Sequence, residues 1–323
     1  MLRIILPFVS REAPLRSDRD HKVSAPRFEA PTIPRKLLIV RLSAVGDVVH
    51  VLPSLKTLRK NYPSAHIAWL VEDKAEGILR GHPDLDEIIV FPKKRWIAGV
   101  KNPFTFLQTV AEFFAFVTNL RRQGFEMALD FHGNLKSGIM TFLTGAPLRV
   151  GFARGHCKEG NFLFTNRWID LPPRRLHRIE RNLSLLEGLG LRPIREGATI
   201  AVSREDEEYT ASNLKVSGEG PIIVIHPGTS AYGAYKRWPA TSYAQLGDRL
   251  VEEFNARVVF SWGPAELERT KEIISAMRHP GDLAPEAETL GKLASLIRRA
   301  DLFISGDTGP MNIASILGVP QVA

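Results

Sequence analysis

Five short segments carry residue types that could do chemistry, and each follows a short apolar run. Ser43-Ala-Val-Gly-Asp47 comes after Leu37-Leu-Ile-Val40. Asp47 would sit at the start of a helix, where the dipole favours the carboxylate. It either caps that helix or, aimed into a partly dry cleft, accepts a proton from an attacking hydroxyl. Gly46 is expected there for torsions that other residues avoid. Ser305-Gly-Asp-Thr-Gly-Pro-Met311 joins an apolar run to a helix start, whose free N–H groups can hold an anion. Gly306 and Gly309 would let a phosphate approach the backbone, while Asp307 either caps the helix or accepts a sugar hydroxyl. A purely structural turn is equally open.

His226-Pro-Gly-Thr-Ser230 precedes Lys236-Arg-Trp-Pro239. Lys236 or Arg237 could neutralise charge on a departing diphosphate, or could simply be solvated. Glu266, in Trp262-Gly-Pro-Ala-Glu266, either caps the helix it opens or binds the two hydroxyls of a ribose. Lys93, Lys94, Arg95 and Lys101 lie beside Trp96 and a Phe-rich helix. In that helix Phe106, Val110, Phe113, Val117 and Leu120 form one stripe, widened by Leu107 and Phe114. Most of the stripe is expected in the core, and the remainder could touch lipid with the cations on phosphates. Arg174, Arg175, His177, Arg178 and Arg181 form a similar set, either cations on phosphates or a solvated helix face. No GxGxxG, P-loop, GxSxG or HExxH pattern occurs. Neither a dinucleotide cofactor nor a metal site is therefore expected.

The elements that must position these residues alternate. Strands at 37–40, 67–71, 88–91 and 127–130 are interleaved with helices at 48–60, restarted or kinked at Pro53, and 104–122. Short branched apolar runs of this kind suit strands buried on both faces of a parallel sheet. The pattern then restarts with a helix capped by Ser203 and strands at 221–225, 257–261 and 302–305. Helices follow at 242–253, 266–277, 290–299 and 308–317. Two successive α/β halves predict two Rossmann-like domains facing across a cleft, with the ligand at the carboxyl ends of the strands. The domains are placed at 36–195 and 196–323. The chain stops inside what reads as a strand, so the second domain is expected to be incomplete.

The 323 residues carry 43 Lys/Arg and 35 Asp/Glu, a net charge of +8. Residues 1–36 hold eight of those cations and four of the acids, and prolines interrupt any periodicity. Residues 1–35 are thus expected to form a flexible basic arm. The mild remaining excess suits an anionic ligand or membrane surface rather than nucleic acid, for which no module motif is found. One cysteine, Cys157, excludes an internal disulfide and fits a reducing cytoplasm. No apolar run approaches the ~18 residues of a membrane-spanning helix, and the opening MLRIILPFV is too short for a secretory signal.

Together these stations resemble glycosyltransferase family 9, the ADP-heptose:lipopolysaccharide heptosyltransferases. The segments that carry the resemblance are 36–63, 226–239, 262–266 and 305–320, with support from 130–138 and 177–190. The Ser-Ala-Val-Gly-Asp-Val-Val-His start looks most like heptosyltransferase I. The resemblance implies a GT-B fold, no required metal or cofactor, and inversion at the sugar carbon. It implies ADP-L-glycero-β-D-manno-heptose as co-substrate, a Kdo-lipid A acceptor, and a cytoplasmic enzyme peripheral on the inner membrane. By position Asp47 resembles the base and Lys236 the lysine on the donor phosphates, these two being the expected catalytic residues. The donor side would comprise Thr229, Ser230, Lys236, Glu266, Asp307, Thr308, Gly309, Pro310 and Met311. The acceptor side would comprise Ser43, Gly46, Lys93, Lys94, Arg95, His132 and Lys136. Asn312 stands where the family usually has histidine, an amide that can still donate a hydrogen bond. The alternatives are another nucleotide-sugar enzyme on the same fold, or a member that binds nucleotide-sugar without turnover.

Overall fold

The computed structural model of the chain describes residues 33–216, 218–229, 235 and 237–323. The expected arm lies almost wholly outside the described residues, as do Ser230 and Lys236. In the first half the chain runs β1 (Lys36–Val40), α1 (Val45–Val49), α2 (Leu52–Asn61), β2 (His66–Glu72) and β3 (Glu87–Phe91). It continues through α3 (Lys93–Lys101), α4 (Phe106–Arg122), β4 (Met127–Asp130), α5 (Leu135–Leu143), β5 (Leu148–Phe152) and β6 (Arg167–Ile169). The strands form one sheet in the order β3-β2-β1-β4-β5-β6, with every pairing parallel.

α6 (Arg178–Glu187) leads to the second half: α7 (Arg204–Asn213), β7 (Ile222–His226), α8 (Ala240–Phe254), β8 (Arg257–Phe260) and α9 (Leu267–Ser275). Then come β9 (Asp282–Leu283), α10 (Leu290–Arg298), β10 (Leu302–Ser305), α11 (Gly309–Leu317) and β11 (Gln321–Val322). This second sheet has the order β11-β10-β7-β8-β9 and is also parallel throughout.

The apolar runs become strands because both sheet faces are covered. In β1 successive side chains alternate between two clusters. Leu37 and Ile39 pack with α1, α2 and α6 side chains on one face. Leu38 and Val40 pack with Trp96, Leu120 and Met140 of α3, α4 and α5 on the other. The helix expected at 48–60 is in fact two. α1 starts at Val45, and Pro53 occupies the first turn of α2, where its missing N–H costs nothing. α3 was not anticipated as a helix. α4 buries less of its stripe than expected: Val117 and Leu120 are buried, whereas Leu107 and Phe114 stay exposed.

The segment between α6 and α7 is fastened to the first half. Ile194 N–H donates to Thr57 Oγ1 (2.9 Å), Lys56 Nζ to Gly197 O (2.6 Å), and His82 Nε2 lies 3.1 Å from Thr199 O. α7 belongs to the second half by its packing on α10. Ser203 caps it, accepting from Asp206 N–H at 3.0 Å. In each sheet the strand order reverses beside the first strand of that half, between β1 and β4 and between β7 and β10. Crevices at such switch points, beyond the carboxyl ends of the strands, are where open α/β sheets bind ligands.

Candidate active site

The two switch points open onto one cleft of about 1070 Å³. Its first wall is built from the loop after β1 and from the start of α6. It includes Gly46, Asp47, His50, Arg175, His177 and Arg178. The facing wall comes from the loops after β7 and β10: Thr229, Tyr235, Asp307, Thr308, Gly309, Pro310, Met311 and Asn312, with Leu290 and Leu293 of α10. Asp47 and the start of α11 therefore share a single space.

Asp47 is the third residue of α1. Its Oδ2 accepts from Ala44 N–H at 3.2 Å and lies 2.7 Å from Arg41 Nη2, while Oδ1 is 2.5 Å from Arg178 Nη1. Burial opposes its charge, but Arg41, the Ala44 N–H and Arg178 together outweigh burial and hold the carboxyl below its ordinary range. Burial lowers the Arg41 guanidinium, which also donates to Phe131 O at 2.8 Å. Gly46 has no unusual torsion, contrary to expectation. It lies inside α1, and a Cβ there would sit 2.5 Å from Asn312 Nδ2. Glycine is needed for the close approach of α1 to α11. Asn312 Nδ2 donates to Thr308 O (2.9 Å).

At the start of α11, Thr308 occupies the capping position without a side-chain bond, and its Oγ1 is buried with no hydrogen-bond partner. Buried polar atoms are rarely left so, and this one sits among residues lining the cleft. Pro310 stands in the first turn, where helix N–H groups lack internal partners. Thr229 accepts from Arg237 at its carbonyl (2.6 Å) and its hydroxyl (2.8 Å). Glu266 is not among the residues lining the cleft. Its Oε2 accepts from Gly263 N–H (3.0 Å), a Cβ added at Gly228 would collide with its carboxylate, and His226 and Arg237 lie 3.9 and 3.7 Å away.

A second cavity of about 540 Å³ adjoins the first and occupies the switch point of the first sheet. Asp47, His50 and Arg178 line both. The second cavity adds Arg41, His132, His156, Lys158, Glu159 and Arg181, among others, so four Lys/Arg in its lining face two acids. His132 Nδ1 accepts from Leu42 N–H (3.3 Å). Burial, then the charges of Arg41 and Lys136, push its pKa down to about 3, so the ring is neutral. Arg181 stacks on Phe152 at 3.6 Å and is pushed down to about 10 by burial and by Arg41.

Of the other expected acceptor-side residues, Ser43 is half-buried and outside the lining of either cavity. Lys93 and Lys136 flank the buried Glu72, Lys93 at 3.4 Å. Lys94 is exposed, and Arg95 pairs with Glu112 at 2.6 Å on the outer surface.

The sequence profile of glycosyltransferase family 9 (heptosyltransferase) matches residues 113–323. The chain belongs to this family. It is 28% identical to the lipopolysaccharide core heptosyltransferase OpsX of Haemophilus influenzae over 292 residues, 90% of this chain and 78% of that one. It is 26% identical to lipopolysaccharide heptosyltransferase 2 of Escherichia coli K12 over 300 residues, 89% of this chain and 82% of that one. Among solved structures it is similar to E. coli heptosyltransferase WaaC with ADP-2-deoxy-2-fluoro heptose. There the TM-score is 0.73 at 25% identity, covering 88% of this chain and 87% of that one. The fold is GT-B.

Within this family 9 chain, sequence reading missed most of the residues around Asp47. Arg41, just beyond the strand expected at 37–40, was not singled out. Of the basic set left open between a solvated face and cations on phosphates, Arg175, His177 and Arg178 line the cleft and Arg181 lines the second cavity. His156 and Lys158 carried no local signal. No DxD pair was expected, yet the sequence holds one, Asp84-Leu-Asp86, and its second aspartate is engaged with the sheet. Asp86 accepts from Ile67 N–H (2.7 Å) and pairs with Arg59 at 2.5 Å.

Proposed function

We propose that this chain transfers a heptose from ADP-L-glycero-β-D-manno-heptose to the Kdo region of the lipopolysaccharide inner core, with inversion and without a metal. The observation that carries the reading is the single cleft shared by Asp47 and the start of α11. The relatives support it by name, as lipopolysaccharide core heptosyltransferases, one of them solved with an ADP-sugar analogue. The half spanning 36–195 would bind the acceptor and that spanning 196–323 the donor. The enzyme would work at the cytoplasmic face of the inner membrane; no described helix is long and apolar enough to cross it.

The acceptor hydroxyl oxygen attacks the anomeric carbon, the bond from that carbon to the phosphate oxygen breaks, and its electron pair leaves with ADP. Asp47 takes the hydroxyl proton. Two arginines make Asp47 a weak base, so the proton moves late, after the sugar has become cationic and drawn in the attacking oxygen. Charge on the diphosphate meets the first-turn N–H groups of α11, the Thr308 hydroxyl and Lys236. The cationic second cavity suits an acidic sugar, with Arg181 and Lys158 on its carboxylate.

The test is a transfer assay with ADP-heptose and Kdo-lipid A, the product linkage read by NMR and the reaction repeated with chelator. Asp47→Asn should lower turnover by about 10²–10⁴ while calorimetric ADP affinity is kept. Full turnover in that variant would remove Asp47 from the reaction. Binding of UDP or GDP in preference to ADP would favour another nucleotide-sugar enzyme.

A further inference from the structure

The helices on one face of the first sheet leave large apolar side chains in solvent. α3 exposes Ile97, the connection to α4 exposes Phe104 (95%), and α4 exposes Leu107 (78%) and Phe114 (63%). α5, packed beside α4, adds Ile139 and Phe142. Among the described residues, α1, α2 and α6, which cover the opposite face, expose no large hydrophobic side chain. The asymmetry is not a packing defect, because the inner side of the same helices is well filled: Trp96 packs edge-on against Phe91, Phe113 and Phe116. An apolar surface this extensive marks a contact site.

Charge says what kind. Residues 93–122 hold six Lys/Arg against one acid, Glu112, and that acid is already paired with Arg95. Apolar side chains rimmed by this excess of cations match an anionic bilayer, with acyl chains for the first and lipid phosphates for the second. The location agrees. α3 opens at Lys93, which pairs with Glu72, and Glu72 also holds Lys136 in the helix next to His132 of the second cavity.

We propose that the α3–α4 hairpin and the adjoining flank of α5 form a docking surface for an anionic phospholipid bilayer. It would present the second cavity to acceptors held in that bilayer. For its purpose, though not for its physics, the proposal rests on the reading of the acceptor as a lipid-borne saccharide.

The experiment is co-sedimentation of the full chain with vesicles of phosphatidylcholine alone and of phosphatidylcholine with phosphatidylglycerol. Binding is expected to the anionic vesicles and to weaken with salt. Leu107→Ser with Phe114→Ser should lower the partition coefficient about tenfold or more. Lys101→Glu, which disturbs no packing, should lower binding to anionic vesicles only. Both variants should keep the wild-type Tm and wild-type turnover on a delipidated acceptor, while KM for vesicle-embedded acceptor rises. Wild-type chain that ignores anionic vesicles would overturn the proposal. So would variants that bind them unchanged, or variants that only dissociate a dimer. Vesicle binding that follows this pattern in a chain without heptose transfer would leave the docking surface standing and sink the transferase reading.

Discussion

Arg178 reaches Asp47 from a helix 131 residues further along the chain, its Nη1 2.5 Å from Oδ1. Arg41 holds the other carboxylate oxygen. Unlike the buried Arg41, Arg178 is 67% exposed, so it can leave without unfolding anything. Arg178→Ala removes one cation that lowers Asp47, so the carboxyl titrates higher. The acid limb of the kcat/KM profile should move to higher pH, with stability changed by less than about 1 kcal/mol. An unmoved limb would mean that Asp47 is not the group titrating there.

Gly46→Ala places a methyl against Asn312 Nδ2 and forces that amide off Thr308 O. The expected stability cost is about 1 kcal/mol, one hydrogen bond, and donor KM should rise as α1 and α11 separate. Asn312→Ala should suppress the defect in the double variant, a coupling that a double-mutant cycle reads directly.

His132 is neutral in the folded protein down to about pH 3 but protonates near its ordinary value when unfolded. The unfolded chain then binds the extra proton. Stability should therefore fall as pH drops from about 6.5 toward 3, by at most about 1.4 kcal/mol per unit, and be flat above. His132→Asn, whose Oδ1 replaces Nδ1 as acceptor for Leu42 N–H, should flatten that part of the curve in denaturant titrations.

Asp130 is fully buried and accepts from His132 N–H (2.9 Å), Gly133 N–H (3.0 Å), Ser137 Oγ (2.8 Å) and Asn161 Nδ2 (2.7 Å). Asp130→Asn turns an amide N–H onto donors and should cost about 2–4 kcal/mol. Because these bonds shape the loop carrying His132, acceptor KM should rise more than donor KM.

The strands were legible because each is a short branched run buried on both faces, a pattern visible without neighbours. The loops after β1 and β10 were legible as strand-to-helix turns bearing an acid or glycines. The company Asp47 keeps was not. Arg41 and Arg178 are far apart in sequence, and nothing local distinguishes an arginine that closes an ion pair from one in solvent. Gly46 was singled out, but for the wrong physics: backbone freedom is a local property, whereas its need for no side chain arises from Asn312 on another helix. Glu266 was open between cap and ribose ligand. It occupies the capping position before α9, yet its carboxylate accepts from Gly263 N–H and not from the helix, an arrangement that short-range spacing alone could not choose.

The strap between α6 and α7 is tacked down at Ile194, Gly197 and Thr199 and released only afterwards. Past Thr199 the strap makes no further hydrogen bond to the first half, among the described residues, before the cap at Ser203, so a swing widening the cleft would find its freest torsions there. Such a swing would carry the anion cradle of α11 toward or away from the carboxylate of Asp47.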